Sequence, residues 1–324
     1  MIRPFDWRDL VLLHRVRDQG LCLDSQLAFT RGSNTIQTLL LDIITPRRTA
    51  CTFVVRPDEK EDQEAIGQIL HRTGEPHARL SFFGPVGAIS SPGSGRLLDA
   101  LSHAAGERGA QHLIAEVDEQ SPIFELIRKA GFAIYARQRI WRLQGKPDLD
   151  PFLKSTDWRV ETDDDESAIN HLYLDIVPAL VQQVELPPRV DRGGLVHWRE
   201  GELLGYLDIE RGPLGVWLDP FFHPAVENLD ELLAGFLASY SDNQNRPLYF
   251  PVRSYQGWIG HALERIGFEI CSDQAVMVKR LAVAIRKPAL SSLSAVERTH
   301  PEPTTPFAHL CQSWPKIPAP PHHE

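Results

Sequence analysis

The segment Leu126-Ile127-Arg128-Lys129-Ala130-Gly131-Phe132 has a close cousin 136 residues further on, Ala262-Leu263-Glu264-Arg265-Ile266-Gly267-Phe268. In both, an amphipathic helical pattern runs into Gly-Phe and then into a β-rich stretch. Glycine suits the left-handed position just past a helix end, and the Phe after it can pack back onto the helix. This recurrence constrains the chain to one fold used twice. A length of 324 residues is enough for two domains, and 42% hydrophobic residues can fill two cores.

Composition excludes several classes. A net charge of -9 is at odds with a general nucleic-acid binder, which usually shows a basic face. The start of the chain carries Arg3, Asp6, Arg8 and Asp9 and lacks the apolar centre of a signal peptide. No run reaches the roughly 18 apolar residues of a membrane span. The expectation is a cytoplasmic protein with no nucleic-acid or membrane partner. Cys22, Cys51, Cys271 and Cys311 are scattered, which suits reduced thiols. Apart from His322-His323 in the tail, the histidines are spread singly, without metal-ligand spacing, so no metal site is expected.

Periodicity gives the order of elements. A short strand at Ile2-Arg3-Pro4 precedes a helix over 7–16 and a second helix over 35–44, stopped by Pro46. A meander follows, with strands over 49–55, 65–71 and 79–83. Next come a helix over 97–107, a strand over 112–117, a helix opened by Ser121-Pro122 and a strand over 133–143. After a linker, the second unit repeats the order. It has a strand at 158–162, a helix over 163–184, strands at 195–199, 202–210 and 215–218, a helix over 229–241, a strand at 247–252, a helix over 256–266 and a last strand to Leu281. Beyond that, Pro, Ser and Thr dominate, which reads as disorder.

This order resembles the GNAT acyltransferase superfamily, most specifically over Gln111 to Leu143. The resemblance implies an α+β protein of two tandem GNAT-like domains, each a mixed, mainly antiparallel sheet flanked by helices. The domains are residues 1–145 and 156–282, joined by a linker at 146–155 and followed by a disordered Pro-rich tail at 283–324. In this superfamily acetyl-CoA, a co-substrate, lies where two strands splay apart, and its pyrophosphate meets a Gly-rich helix start of the form Q/R-x-x-G-x-G/A. Free N–H groups and the helix dipole favour an anion there. The matching segment is Ser90-Ser91-Pro92-Gly93-Ser94-Gly95-Arg96. Gly93 and Gly95 take the two small positions, and Ser90 replaces the usual Gln or Arg. Ser90, Gly93, Ser94, Gly95 and Arg96, with Gln120 in place of a common Asn, are the implied cofactor contacts. The second unit's junction, Phe221 to Asn228, has no glycine and carries Glu227, so the second domain is expected to lack a CoA site.

Acyl transfer to an amine needs a base for the amine and an acid for the thiolate. The tyrosine that often supplies the acid is replaced here by Ile127 and, in the second unit, by Leu263. The substitutes are Glu116 and Asp118, expected to share one face of the 112–117 strand by alternation, and Tyr135 as a proton donor. Two readings follow. One is an N-acyltransferase moving an acetyl or other acyl group from acyl-CoA, held in the N-terminal domain, to a small-molecule or peptide amine. The other is a catalytically inactive tandem scaffold or ligand-sensing protein.

Overall fold

The computed structural model describes residues 1–16, 18–32, 48–57, 63–145, 147, 149, 158–190, 193–240 and 245–281. The helix expected over 35–44, most of the linker and the Pro-rich tail lie outside the described residues. The N-terminal half contains β1 (Ile2–Pro4), α1 (Leu10–Val16), β2 (Leu21–Cys22), α2 (Ser25–Arg31), β3 (Arg48–Val55), β4 (Ala65–Arg72), β5 (His77–Gly84), α3 (Pro92–Glu107), β6 (His112–Val117), α4 (Pro122–Lys129) and β7 (Ala133–Leu143). The C-terminal half contains β8 (Trp158–Val160), α5 (Glu166–Ile176), α6 (Ala179–Gln182), β9 (Leu195–Arg199), β10 (Glu202–Arg211), β11 (Val216–Phe222), α7 (Leu229–Ser239), β12 (Leu248–Arg253), α8 (Ile259–Ile266) and β13 (Glu269–Arg280). The fold is α+β with a mixed, mainly antiparallel sheet flanked by helices, as the sequence led us to expect.

All these strands join one sheet. Its order is β1-β3-β4-β5-β6-β13-β7-β12-β11-β10-β9-β8, with β2 attached to β5. The order is palindromic under exchange of the halves, and the two last strands are traded. β13 inserts between β6 and β7, and β7 pairs with β12. The cores follow the trade. Ala275 and Met277 of β13 pack into the N-terminal core with Leu97, Leu101 and Phe132, while Trp141 and Leu143 of β7 pack into the C-terminal core with Phe236, Leu263 and Phe268.

The repeated Gly-Phe ends α4 and α8 in the same way. Gly131 and Gly267 have φ of 92° and 104°. The N–H of Phe132 donates to the Ile127 carbonyl and that of Phe268 to the Leu263 carbonyl, and both rings are buried. Such a bond, closing across six residues, is the helix stop that a left-handed glycine permits. A second device recurs at the start of each half. Arg3 of β1 pairs with buried Asp9 at 2.7 Å, and Arg159 of β8 pairs with buried Asp165 at 2.6 Å. Each aspartate also accepts from the N–H three residues before it, Asp6 or Thr162.

Two element expectations need correction. The helix expected over 163–184 is broken into α5 and α6, because Pro178 holds Val177 in extended backbone. The helix expected from residue 97 starts at Pro92, so Pro92 to Arg96 form its first turn rather than a loop. α2, capped by the Asp24 carboxylate on the Leu27 N–H, was not anticipated. Among the described residues no helix is long and apolar enough to cross a membrane.

Candidate functional site

Each half contains one pair of parallel neighbours that diverge. β5 and β6 are in register only at His77–His112, Ala78–Leu113 and Arg79–Ile114. β11 and β12 are in register only at Val216–Leu248 and Trp217–Tyr249. Beyond these residues each pair opens into a wedge.

In the N-terminal half the wedge is filled by the chain itself. The Val86 N–H donates to the Gln19 carbonyl at 2.8 Å. Leu21 and Cys22 then pair with Phe83 and Phe82. The Leu23 N–H donates to the Ser81 carbonyl at 3.0 Å, and the Leu23 carbonyl accepts from the Glu116 N–H at 2.9 Å. Leu23 thus bridges β5 to β6 across the opening, and its side chain is buried. The Ser25 N–H continues onto Glu116 Oε2 at 2.9 Å. Gly20 makes the close approach possible, since a Cβ there would lie 2.0 Å from the Phe82 ring. Burial pushes the Cys22 thiol up to about 12, so it stays protonated.

The sequence-predicted residues are dispersed around this plug. Glu116 is buried; its Oε1 accepts from Arg79 Nη1 at 3.1 Å and its Oε2 from Ser25. Burial pushes its carboxyl up, but Arg79, Arg253 and the Ser25 bonds outweigh that and hold it below the usual range. With both oxygens engaged, Glu116 is a structural anion. Asp118 does not share its face. β6 ends at Val117, and Asp118 is exposed, with Oδ1 accepting the Gln120 N–H at 2.8 Å, so strand alternation no longer applies there. Gln120 is exposed in the turn that leads to α4. Tyr135 is buried and donates to Glu185 Oε1. Burial and Glu185 raise its phenol far above the usual range, which makes it a reluctant acid. At the start of α3, Gly93 and Ser94 are buried, with Ser94 Oγ donating to the Ala88 carbonyl at 2.6 Å, while Ser90 and Arg96 are exposed. A Cβ on Gly95 would meet open space.

In the C-terminal half the wedge is crossed by one side chain, the buried Gln256 just after β12, whose Nε2 donates to the Pro220 carbonyl of β11 at 3.2 Å. The wedge leads into a cavity of about 230 Å³ between the halves, lined by Asp219 and Phe221 of β11, Arg253 of β12, Asp208 of β10 and, from the N-terminal half, Arg79 and Glu116. α2 closes one side of it. Phe29 stacks on Tyr249 with ring centroids 4.5 Å apart, and the Thr30 carbonyl accepts the Leu214 N–H at 2.9 Å. Residues after α6 close another side, where Arg189 reaches Glu75 at 3.4 Å. Arg253 Nη2 donates to Glu185 Oε1 at 2.6 Å. Burial and then Arg79 push His77 down to about 4, so its ring is neutral. Burial and then the neighbouring Asp208 lift Asp219 to about 7. The C-terminal helix start would repel a phosphate. Asp230 and Glu231 sit in the first turn of α7, and Asn228 before them is in left-handed backbone. Among the described residues no group of three or more His, Cys, Asp or Glu could hold a metal.

The sequence reasoning missed the cavity. Its residues come from many separate elements and loops in both halves, and the signal available was the acidic-aromatic alternation of Trp217, Asp219 and Phe221.

Two halves, each with a wedge between parallel strands and a helix that follows, make this the tandem GNAT fold. No family model matches the sequence, and no curated protein matches it. Solved structures do. A tandem GNAT protein from the clavulanic acid biosynthesis pathway, determined without acetyl-CoA, has a TM-score of 0.53 at 14% identity, covering 86% of this chain and 98% of that one. A GCN5-related N-acetyltransferase from Sphaerobacter thermophilus has a TM-score of 0.50 at 13% identity, covering 86% and 95%. At these identities the likeness establishes the fold.

Proposed function

We propose that this chain is a tandem GNAT-fold protein whose working site is the cavity between its halves, where it holds a small polar molecule, and that its N-terminal wedge does not take acyl-CoA. The observation that carries this is the plug at Leu21 to Ser25. The wedge edges that would flank a pantetheine arm already bond to the chain's own backbone, on Ser81 and Phe83 on one side and Glu116 on the other. Admitting a cofactor there requires breaking these bonds and exposing Leu23. The C-terminal wedge lacks a phosphate-binding helix start. Titration of the protein with acetyl-CoA tests the proposal, and one-site binding in the micromolar range would overturn it.

One observation favours the acyltransferase reading, with acetyl-CoA in the N-terminal half and a small-molecule or peptide amine as acceptor. The first turn of α3 joins Gly93 and Gly95 to an exposed Arg96, and space lies above Gly95. That end of the site stays intact, so on this reading Leu21 to Ser25 withdraw before the cofactor enters. Gly95→Glu separates the two readings. It places a carboxylate where the pyrophosphate would lie, and should abolish acetyl-CoA binding if the loop is used.

A further inference from the structure

A cavity between the halves needs a way in, and its walls are held with unequal strength. The strands that line it are fixed by the ladders of the sheet. α2 is fixed by the stack of Phe29 on Tyr249, by the Thr30 carbonyl on the Leu214 N–H, and by Arg31 on Glu210 at 3.1 Å. Another wall is the segment Leu186-Pro187-Pro188-Arg189, all four residues of which line the cavity. This segment is fixed at its ends. Before it, Glu185 accepts from Arg253 Nη2 at 2.6 Å and from the Tyr135 hydroxyl, and its carbonyl accepts from the Tyr173 hydroxyl at 2.8 Å. After it, Val190 packs on the cluster around Tyr206. In between, the two prolines have no N–H to donate. Among the described residues, no backbone group of 186–190 bonds to another backbone group. Leu186 is already 44% exposed, so little apolar burial is lost when the segment lifts. Its tie to the N-terminal half is Arg189 Nη2 on Glu75 Oε1 at 3.4 Å. Glu75 is shared with the fixed side, where Arg72 approaches the same oxygen at 3.5 Å and His77 approaches Oε2 at 3.6 Å.

We infer that Leu186 to Arg189 form a strap that opens and closes the cavity, held at Glu185 and Val190 and latched by Arg189 on Glu75. This rests on the shared cavity being the working site. Lifting the strap breaks one ion pair between partly exposed side chains, an interaction that contributes little and weakens with salt. Opening the cavity at α2 would separate an aromatic stack, a backbone bond and an ion pair together. Opening it between strands would break ladder bonds. The strap is therefore the wall that moves at least cost, and segments of low local stability are the ones that serve as lids. Its prolines fix their own φ and hold the residues before them in extended backbone. The strap thus swings as a stiff piece between its ends and does not collapse into the space it covers. A latch of this kind leaves the cavity closed at low salt and lets a small polar molecule enter when the pair parts.

The test places a thiol in the cavity by Gln26→Cys, on α2, and follows its alkylation by iodoacetamide in the full chain, read by peptide mass spectrometry. The exposed Cys271 reports the reactivity of the reagent in the same sample. In that background Arg189→Gln and Glu75→Gln should each speed alkylation at position 26 about two- to fivefold, the range that an exposed ion pair supports. The two together should do no more than either alone. Arg72→Gln, which leaves Arg189 on Glu75, should change the rate less than about 1.5-fold. Raising salt from roughly 0.05 M to 0.5 M should speed alkylation in the Gln26→Cys protein and not once Arg189→Gln is added. The Cys271 rate should stay the same across the variants, and circular dichroism establishes that each is folded. The inference is overturned if Arg189→Gln leaves the rate at position 26 unmoved, or if Arg72→Gln moves it as much. It is also overturned if that thiol reacts as fast in the folded protein as in urea. Micromolar binding of acetyl-CoA would instead overturn the reading beneath it, whatever the alkylation rates.

Discussion

Gln138 Nε2 donates to Gln274 Oε1 at 2.9 Å, and the two glutamines are equivalent members of the internal repeat. Each lies seven residues after the glycine that ends the preceding helix, Gly131 or Gly267. They are also direct partners in the β7–β13 register. The local twofold axis of the molecule therefore passes between them. Gln274 Oε1 accepts a further bond from Ser25 Oγ at 2.8 Å, which ties the axis to α2 and the plug. Gln274→Ala leaves the buried Gln138 amide without this acceptor and should cost about 1–3 kcal/mol in urea unfolding. In the Gln138→Ala/Gln274→Ala double variant the costs should be less than additive. Additive costs would show that the pair does not couple.

The traded strands predict that neither half folds alone. A fragment of residues 1–145 lacks Ala275 and Met277, which complete its core, and exposes the edge of β6. It should be unfolded or aggregated by circular dichroism and gel filtration, and co-expression with residues 146–324 should restore a folded complex. A cooperative, monomeric 1–145 fragment would show that the trade is dispensable and that the domain limits read from the sequence are also folding limits.

Much of this was legible in advance. The Gly-Phe repeat announced two copies of one fold because a left-handed helix stop has a narrow sequence requirement. Most strands and helices, in their order along the chain, followed from periodicity. The trade of β7 and β13 was not legible, because the pattern that marks a strand does not name its partner. The site was less legible. Glycines at Gly93 and Gly95 suggested a phosphate loop, but nothing local to Leu21-Cys22-Leu23 says that they close the wedge. That depends on Gly20 lying against Phe82, a contact made across the fold. Asp208 and Asp219 face one another only once the β10–β11 register is fixed.

The Arg-Asp device at the start of each half predicts a matched acid response. Bonds from Arg159 hold Asp165 far below the usual carboxylate range. Burial pushes Asp9 up, yet Arg3, the Asp6 N–H and Arg56 more than reverse it. A carboxylate with a lowered folded value stabilises the protein above its unfolded value, and that stabilisation is lost as pH falls towards the folded one. Asp165→Asn should therefore cost about 1–3 kcal/mol at neutral pH, the value of hydrogen bonds to a charged group. The gap from the parent protein should narrow below roughly pH 4. An unchanged gap in urea titrations at low pH would refute it.

Asp219 predicts the opposite slope. Burial and Asp208 raise it from 3.8 to about 7, so the folded protein binds its proton more tightly than the unfolded chain does. That contribution is complete below the unfolded value and lost as pH rises through 7. Asp219→Asn should be more stable than the parent above pH 7, by about 2 kcal/mol once its partial exposure is discounted. The two proteins should converge in acid. Tm measured from roughly pH 4 to pH 9 checks this, and a variant less stable than the parent at high pH would contradict it.

The central claim is that Leu21 to Ser25 close the N-terminal wedge to acyl-CoA, leaving the cavity between the halves as the working site. Calorimetric titration of the full chain with acetyl-CoA tests it most directly. No binding heat is expected up to roughly millimolar cofactor, in the parent protein and in Gly95→Glu alike. Micromolar binding at one site per chain, abolished by Gly95→Glu, would contradict it and establish the N-terminal half as a cofactor site.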